Sequence, residues 1–146
     1  MKEMQRIGWR EWVSLPDLGI SWVKAKTDTG ARTSALDVKK LDTFMAGDKA
    51  MVRIIFRKRK KVLASKPEVT VPVLESRTVK DSGGKEHKRV VIETTLVIGG
   101  DSHQIELTLS DRRKMRFPML IGRTAIRKKY LVDSGRSYLT GKPAHK

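Results

Sequence analysis

The sequence predicts an all-β fold, a barrel or sandwich built from short strands. Three observations carry the prediction. β-Branched and apolar runs are interrupted every few residues by turn-forming Gly, Pro, Asp and Ser. Residues 103–109 (His-Gln-Ile-Glu-Leu-Thr-Leu) alternate polar and apolar cleanly. Helical character is confined to residues 124–129, near the C-terminal end.

Along the chain, residues 20–26 alternate loosely and run into Thr27-Asp28-Thr29-Gly30. Residues 51–57 are β-branched and apolar, a good strand. Residues 68–74 read as a strand that Pro72 pushes to a sheet edge. The longest β run, 89–98, closes on Gly99-Gly100-Asp101, which predicts a hairpin into 103–109. Met119-Leu120-Ile121 is a short apolar strand before Gly122, and Tyr130-Leu131-Val132 ends the series. The basic run 57–61, with Ser65-Lys66-Pro67, reads as an exposed loop, and 140–146 as a frayed end. The expectation is one domain, residues 1–146.

Composition excludes several chemistries. With no cysteine there is no disulfide framework, thiolate metal site or Cys nucleophile, and with no Asn there is no N-glycosylation. No apolar run approaches a membrane span, and Met1-Lys2-Glu3-Met4-Gln5-Arg6 lacks the apolar core of a signal peptide, so a cytoplasmic protein without membrane contact is expected. The net charge is +16, concentrated C-terminally: residues 1–50 hold 9 basic and 7 acidic side chains, residues 51–146 hold 23 and 9. Such a field favours an anionic partner.

Asp28-Thr29-Gly30 puts a carboxylate on a tight glycine turn at the end of an apolar-rich strand. Alone it is an ordinary turn. Near the other end of the chain, Phe117-Pro118-Met119-Leu120-Ile121-Gly122-Arg123 carries an apolar strand into Gly-Arg and a short helix. The two elements together resemble the retropepsin-like aspartic proteases. The stretches 7–13, 15–20, 25–36 and 117–125 resemble more narrowly the bacterial family historically labelled ATP-dependent zinc proteases. That family is associated with ATP-grasp enzymes that add glutamates to a ribosomal small-subunit protein.

The resemblance implies a small closed β-barrel of the retropepsin type with one short C-terminal helix. It also implies a hydrolase, an aspartic endopeptidase or peptidase acting on oligo- or poly-glutamate tails. One Asp-Thr-Gly per chain supplies one of the two carboxylates needed, so the resemblance requires a homodimer with Asp28, Thr29 and Gly30 of each copy at the centre. A one-chain pair with the Asp-Ser-Gly tripeptides at Asp81 or Asp133 is the alternative, for which the chain is short. Gly122 and Arg123 would support the turn and the dimer. Residues 79–88 lie where the flap hairpin would be, with Gly83 and Gly84 at its tip. Lys80, Lys85, Lys88 and Arg89 would form a positive lid. Viral retropepsins have Asp where this chain has Arg32, so Arg32 and Arg123 would repel. In exchange, Arg32 offers a planar fork for a glutamate carboxylate. Lys26 shares the face of Asp28 by strand alternation.

Neither word of the historical label finds support in the residues. No phosphate-binding Gly-rich loop is present, and His87, His103 and His145 are scattered, so no metal or cofactor is expected. The rival reading is a non-catalytic basic β module that binds RNA or the ribosome, with 57–61, 112–114 and 127–129 as phosphate contacts. Against it, all three Trp fall within residues 9–22, so no strand shows a stacking platform.

Overall fold

A computed structural model describes residues 4–80 and 83–142, with the backbone alone at Val79 and Lys80. The strands are β1 (Gln5–Leu15), β2 (Ile20–Asp28), β3 (Ser34–Asp37), β4 (Lys40–Ala46), β5 (Lys49–Ile55), β6 (Val62–Ala64), β7 (Glu68–Pro72), β8 (Glu75–Lys80), β9 (Glu86–Ile98), β10 (Asp101–Ser110), β11 (Met119–Gly122) and β12 (Tyr130–Ser137). A 3-10 turn, Pro16–Leu18, joins the first two strands, and a one-turn helix α1, Arg123–Ile126, follows β11.

Six strands close a barrel in the order β1-β2-β11-β3-β10-β9, the ring completed where Ser14 of β1 meets Val97 of β9. Strand β12 adds to β1 in parallel, β8 to β9 as a hairpin, and β6 to β2. Strands β4, β5 and β7 form a separate antiparallel sheet whose Val52 and Ile54 join the same apolar cluster as the barrel interior. That cluster is dominated by Val, Ile and Leu, with Ile7, Leu15, Ile92, Leu96 and Leu107 almost fully buried. Fully burying each of them contributes about 1.5–3 kcal/mol. Closure leaves the ring without a free edge, the usual solution to edge pairing.

The retropepsin-type barrel expected from the sequence is the fold observed. The Gly99-Gly100 turn forms, with Asp101 pairing Ile98 and Gly99 at φ +58. Pro72 ends the edge strand β7, where its missing N–H costs no ladder bond. Three expectations are corrected. The helix stops at Ile126 rather than Lys129, because Lys128 adopts φ 66 and turns the chain into β12. Residues 57–61 form a loop in which Lys58 and Lys60 are exposed as expected, but Arg57 and Arg59 are held inward. Arg57 Nε and Arg59 Nη1 each lie 3.1 Å from Oδ2 of Asp37, a carboxylate with 0% side-chain exposure. The C-terminal segment is not frayed from Thr140, whose N–H and hydroxyl both donate to Glu11 Oε1; residues 143–146, including His145, lie outside the described residues.

Strand β1 escapes an alternation search for a related reason. Its core face carries Glu11, fully buried, which accepts hydrogen bonds from the N–H groups of Gly8, Leu139 and Thr140. A satisfied internal carboxylate is cheap in the fold and invisible to hydropathy.

Candidate active site

Asp28 is the last residue of β2 and pairs across to Gly122 at the end of β11. Its side chain is half-buried, and Oδ1 accepts the N–H of Gly30 at 3.1 Å. The Ala31 N–H returns to the Asp28 carbonyl at 3.2 Å, closing the turn. The segment after β11 clamps this turn from below. Arg123 donates its N–H to the Ala31 carbonyl (2.8 Å) and a guanidinium N–H to the Gly30 carbonyl (3.3 Å), while the Thr124 hydroxyl donates to the Arg32 carbonyl (2.9 Å). Gly122 is obligatory here. A Cβ on it would stand 2.4 Å from the carbonyl carbon of Thr33 and 2.6 Å from its oxygen. The Gly122 N–H donates to Ser34 Oγ inside the barrel. One residue earlier on β2, Thr27 donates to the carbonyls of Gly8 and Trp9 on β1, so the base of the turn is fixed as well.

Asp28, Gly30, Gly122 and Arg123 therefore come together. Arg123 acts as a brace on carbonyl oxygens within one chain. Thr29, Gly30 and Arg32 are exposed at the surface of the turn, and Lys26 is exposed on the outer face it shares with Asp28.

The hairpin β8–β9 extends Lys80 opposite Glu86, with Gly84 at φ +84, a left-handed conformation suited to glycine. Gly83 and Lys85 are exposed beside it. The side chain of Lys80, and Asp81 with Ser82, lie outside the described residues. Strand alternation divides two members of the expected positive lid, Lys88 and Arg89. Lys88 turns to Thr43 Oγ1 of β4, whereas Arg89 faces the opposite way. There it lines a cavity of about 310 Å³ together with Arg32, Arg77, Glu75, Glu106 and Thr124. Arg77 is paired with Glu75 at 2.6 Å, which among the described residues leaves Arg32 and Arg89 as the cavity's cations without an ion-pair partner. A larger cavity, about 680 Å³, is formed within residues 56–67 and does not include Asp28.

Arg112, a phosphate contact in the rival nucleic-acid reading, is half-buried. Burial pushes its pKa down and nearby Arg89 adds to this, while Asp28 and Asp37 push it up. Asp133 lies within β12 rather than in a turn. Its carboxylate accepts the Gly135 N–H, and Arg136 stands 3.9 Å away. Among the described residues, no three His, Cys, Asp or Glu side chains are grouped to hold a metal ion. No helix there is long and apolar enough to cross a membrane.

The family described as the retropepsin-like aspartic endopeptidase RimB matches residues 6–143. The chain belongs to this RimB-like family. Curated relatives of the chain carry another name. A probable alpha-L-glutamate ligase of Shewanella pealeana is 35% identical over 139 residues, which are 92% of this chain and 30% of that protein. A probable alpha-L-glutamate ligase of Parasynechococcus marenigrum is 36% identical over 135 residues, 92% of this chain and 29% of that protein. The chain thus spans about a third or less of the relatives it matches. A crystal structure of a Legionella pneumophila protein of unknown function superposes with a TM-score of 0.75 at 20% identity, covering 94% of this chain and 99% of that one. It shares the fold.

Proposed function

We propose that the protein is an aspartic peptidase, active as a homodimer, that removes glutamates from acidic peptide tails. The observation that carries the reading is the Asp28 turn. A carboxylate is presented at the surface of a turn clamped by Arg123 and Gly122, in a chain of a retropepsin-like endopeptidase family.

In the dimer, two Asp28 side chains meet across the two-fold axis and share one proton, since like charges about 3 Å apart cannot both ionise cheaply; the aspartic-protease pair is a standard case. The ionised member takes a proton from the attacking water, and the protonated member donates to the scissile carbonyl oxygen. Collapse of the tetrahedral intermediate breaks the C–N bond, and the amine leaves with a proton from the pair. The exposed Thr29 hydroxyls cross-link the two turns, and Gly30 lets the substrate backbone approach.

Arg32 and Arg89 supply the preference for glutamate. They line the cavity beside the turn, without carboxylate partners in ion-pair range among the described residues, and guanidinium forks suit carboxylates. The glutamate-ligase names of the relatives support the same substrate class from the synthetic side. The narrower proposal is that the tail belongs to a ribosomal protein, reached through the +16 charge.

The test is incubation with a peptide ending in several glutamates, read by mass spectrometry, for wild type and Asp28→Asn, with sedimentation of both. Stepwise or internal loss of glutamates by a wild-type dimer, absent in Asp28→Asn, is the expected result. Cleavage by both proteins or by neither overturns the proposal.

A further inference from the structure

The outer face of β1 and β2 gathers aromatic rings that the sequence scatters. Trp12 meets Trp22 edge-on, with centroids 5.0 Å apart, and stacks on Tyr138 at 5.9 Å with planes inclined by 22°. Trp9 meets Phe117 edge-on at 5.9 Å. All but Phe117 are half-buried rather than core. Cations are interleaved with them. The Arg10 guanidinium lies 4.6 Å from the Trp9 ring and 5.1 Å from that of Tyr138. The Lys142 ammonium lies 3.8 Å from Trp22 and 4.7 Å from Trp12. Lys24 and Lys61 both approach Phe117, at 5.7 and 5.3 Å.

Among the described residues, none of these four cations is within ion-pair distance of a carboxylate. The crowding is felt. Burial first, then Lys24, Arg59, Arg116 and Arg10, pull the Lys61 pKa below its usual value. Cations held together without acids are costly in the free protein and relieved by a bound anion.

We infer that this face is a binding surface for single-stranded nucleic acid, its phosphates lying along Arg10, Lys24, Lys61 and Lys142 and its bases stacking on the Trp and Tyr rings. Charge complementarity selects an anion, and the rings select which one. Bases stack on aromatic side chains for about 1–3 kcal/mol each. A glutamate tail uses the cations and gains nothing from the rings, and a second copy of the chain would bring the same cations against themselves. Its aromatic centre lies at the opposite end of β2 from Asp28, on the same outward face. Trp22, Lys24, Lys26 and Asp28 alternate outward along β2, which sets Trp22 about 20 Å from Asp28.

The experiment is fluorescence anisotropy with a labelled oligouridine, and with a labelled glutamate peptide of matched charge, between about 50 and 200 mM salt. Tryptophan emission is followed in parallel. The oligonucleotide is expected to bind tighter than the peptide and to quench tryptophan, equally in wild type and Asp28→Asn. Trp22→Leu should weaken it about 5- to 150-fold. Lys24→Gln with Lys142→Gln should lower the slope of log affinity against log salt by about 1.4, which a stacking-only surface would not. Lys128→Gln with Lys129→Gln, exposed and near the Gln5 end of β1, removes the same charge and should leave that slope unchanged. Oligonucleotide binding that leaves tryptophan emission unchanged, an unchanged slope in the Lys24/Lys142 variant, or no binding at about 50 mM salt each overturns the inference. Because Asp28→Asn is a binding-competent control, peptidase failure and failure of this surface are told apart.

Discussion

Asp28 and Asp37 end strands β2 and β3, which flank β11 on either side, yet their carboxylates live in opposite surroundings. Asp37 is sealed from solvent, with Arg57 and Arg59 each at 3.1 Å and the Arg112 N–H at 2.7 Å. Asp28 is half-exposed, and the Gly30 N–H is its hydrogen-bond donor among the described residues. A carboxylate clamped by two guanidiniums fixes a loop to the barrel, because removing its charge strands two cations that are themselves largely buried. A carboxylate held by one peptide N–H at a rigid surface turn is positioned without being neutralised. Burial and pairing, rather than residue type or strand position, separate the structural acid from the candidate reactive one.

The contrast breaks most sharply if the two acids are exchanged in role. Asp28→Asn should lower peptidase activity by about 10²–10⁴ or more while leaving the melting temperature close to wild type. A comparable activity with Asn in place would remove Asp28 from the chemistry. Asp37→Ala should instead cost about 3–5 kcal/mol in urea unfolding, the cost of leaving a buried charge uncompensated, with activity per folded molecule retained. Gly122→Ala tests the shared scaffold between them. A Cβ 2.4 Å from the Thr33 backbone should cost about 1–3 kcal/mol and impair activity by displacing the turn that Arg123 braces.

Smaller effects sharpen the picture. Arg32→Ala should raise KM for glutamate peptides about tenfold and leave neutral peptides unchanged, as loss of one exposed charge-assisted hydrogen bond predicts. Equal losses would take Arg32 out of substrate selection. Asp111, which lies 2.6 Å from Arg57, marks the outer rim of the Asp37 clamp. Its pKa is depressed, first by the hydrogen bond from Arg113. Its stabilising contribution is therefore complete above the ordinary carboxylate value of 3.8 and lost as pH falls through the lower folded value. Thermal melts of wild type between about pH 5 and 2.5 should show a small slope that Asp111→Asn lacks, small because the pair is half in solvent.

Much of the barrel was legible because its strands alternate or are uniformly β-branched. The hairpin at Gly99-Gly100, the edge position of Pro72 and the end of β2 at Asp28 were all readable. Strand β4 was not, since none of its residues is fully buried and no face shows a pattern. In β1, Glu11 broke the alternation. At the site, the Asp28 turn and the Gly122-Arg123 clamp were readable because both are short, contiguous motifs. The place of Arg89 beside the cavity was not, because which of Lys88 and Arg89 meets it depends on the pleat of β9, which turns Lys88 to Thr43 instead. The stacking face was missed because counting aromatics per strand does not see rings from different strands converging.

The sequence by itself determined the β class, the charge excess and the two motifs that frame Asp28, since each is written in neighbouring residues whose propensities and chemistry act locally. Only the tertiary structure decided which cations are spent. Arg57 and Arg59 are consumed by Asp37, whereas Arg10, Lys24, Lys61 and Lys142 stand among rings with no acid in ion-pair range among the described residues. Pairing is a matter of distance in space, and barrel closure sets those distances between residues far apart in the chain.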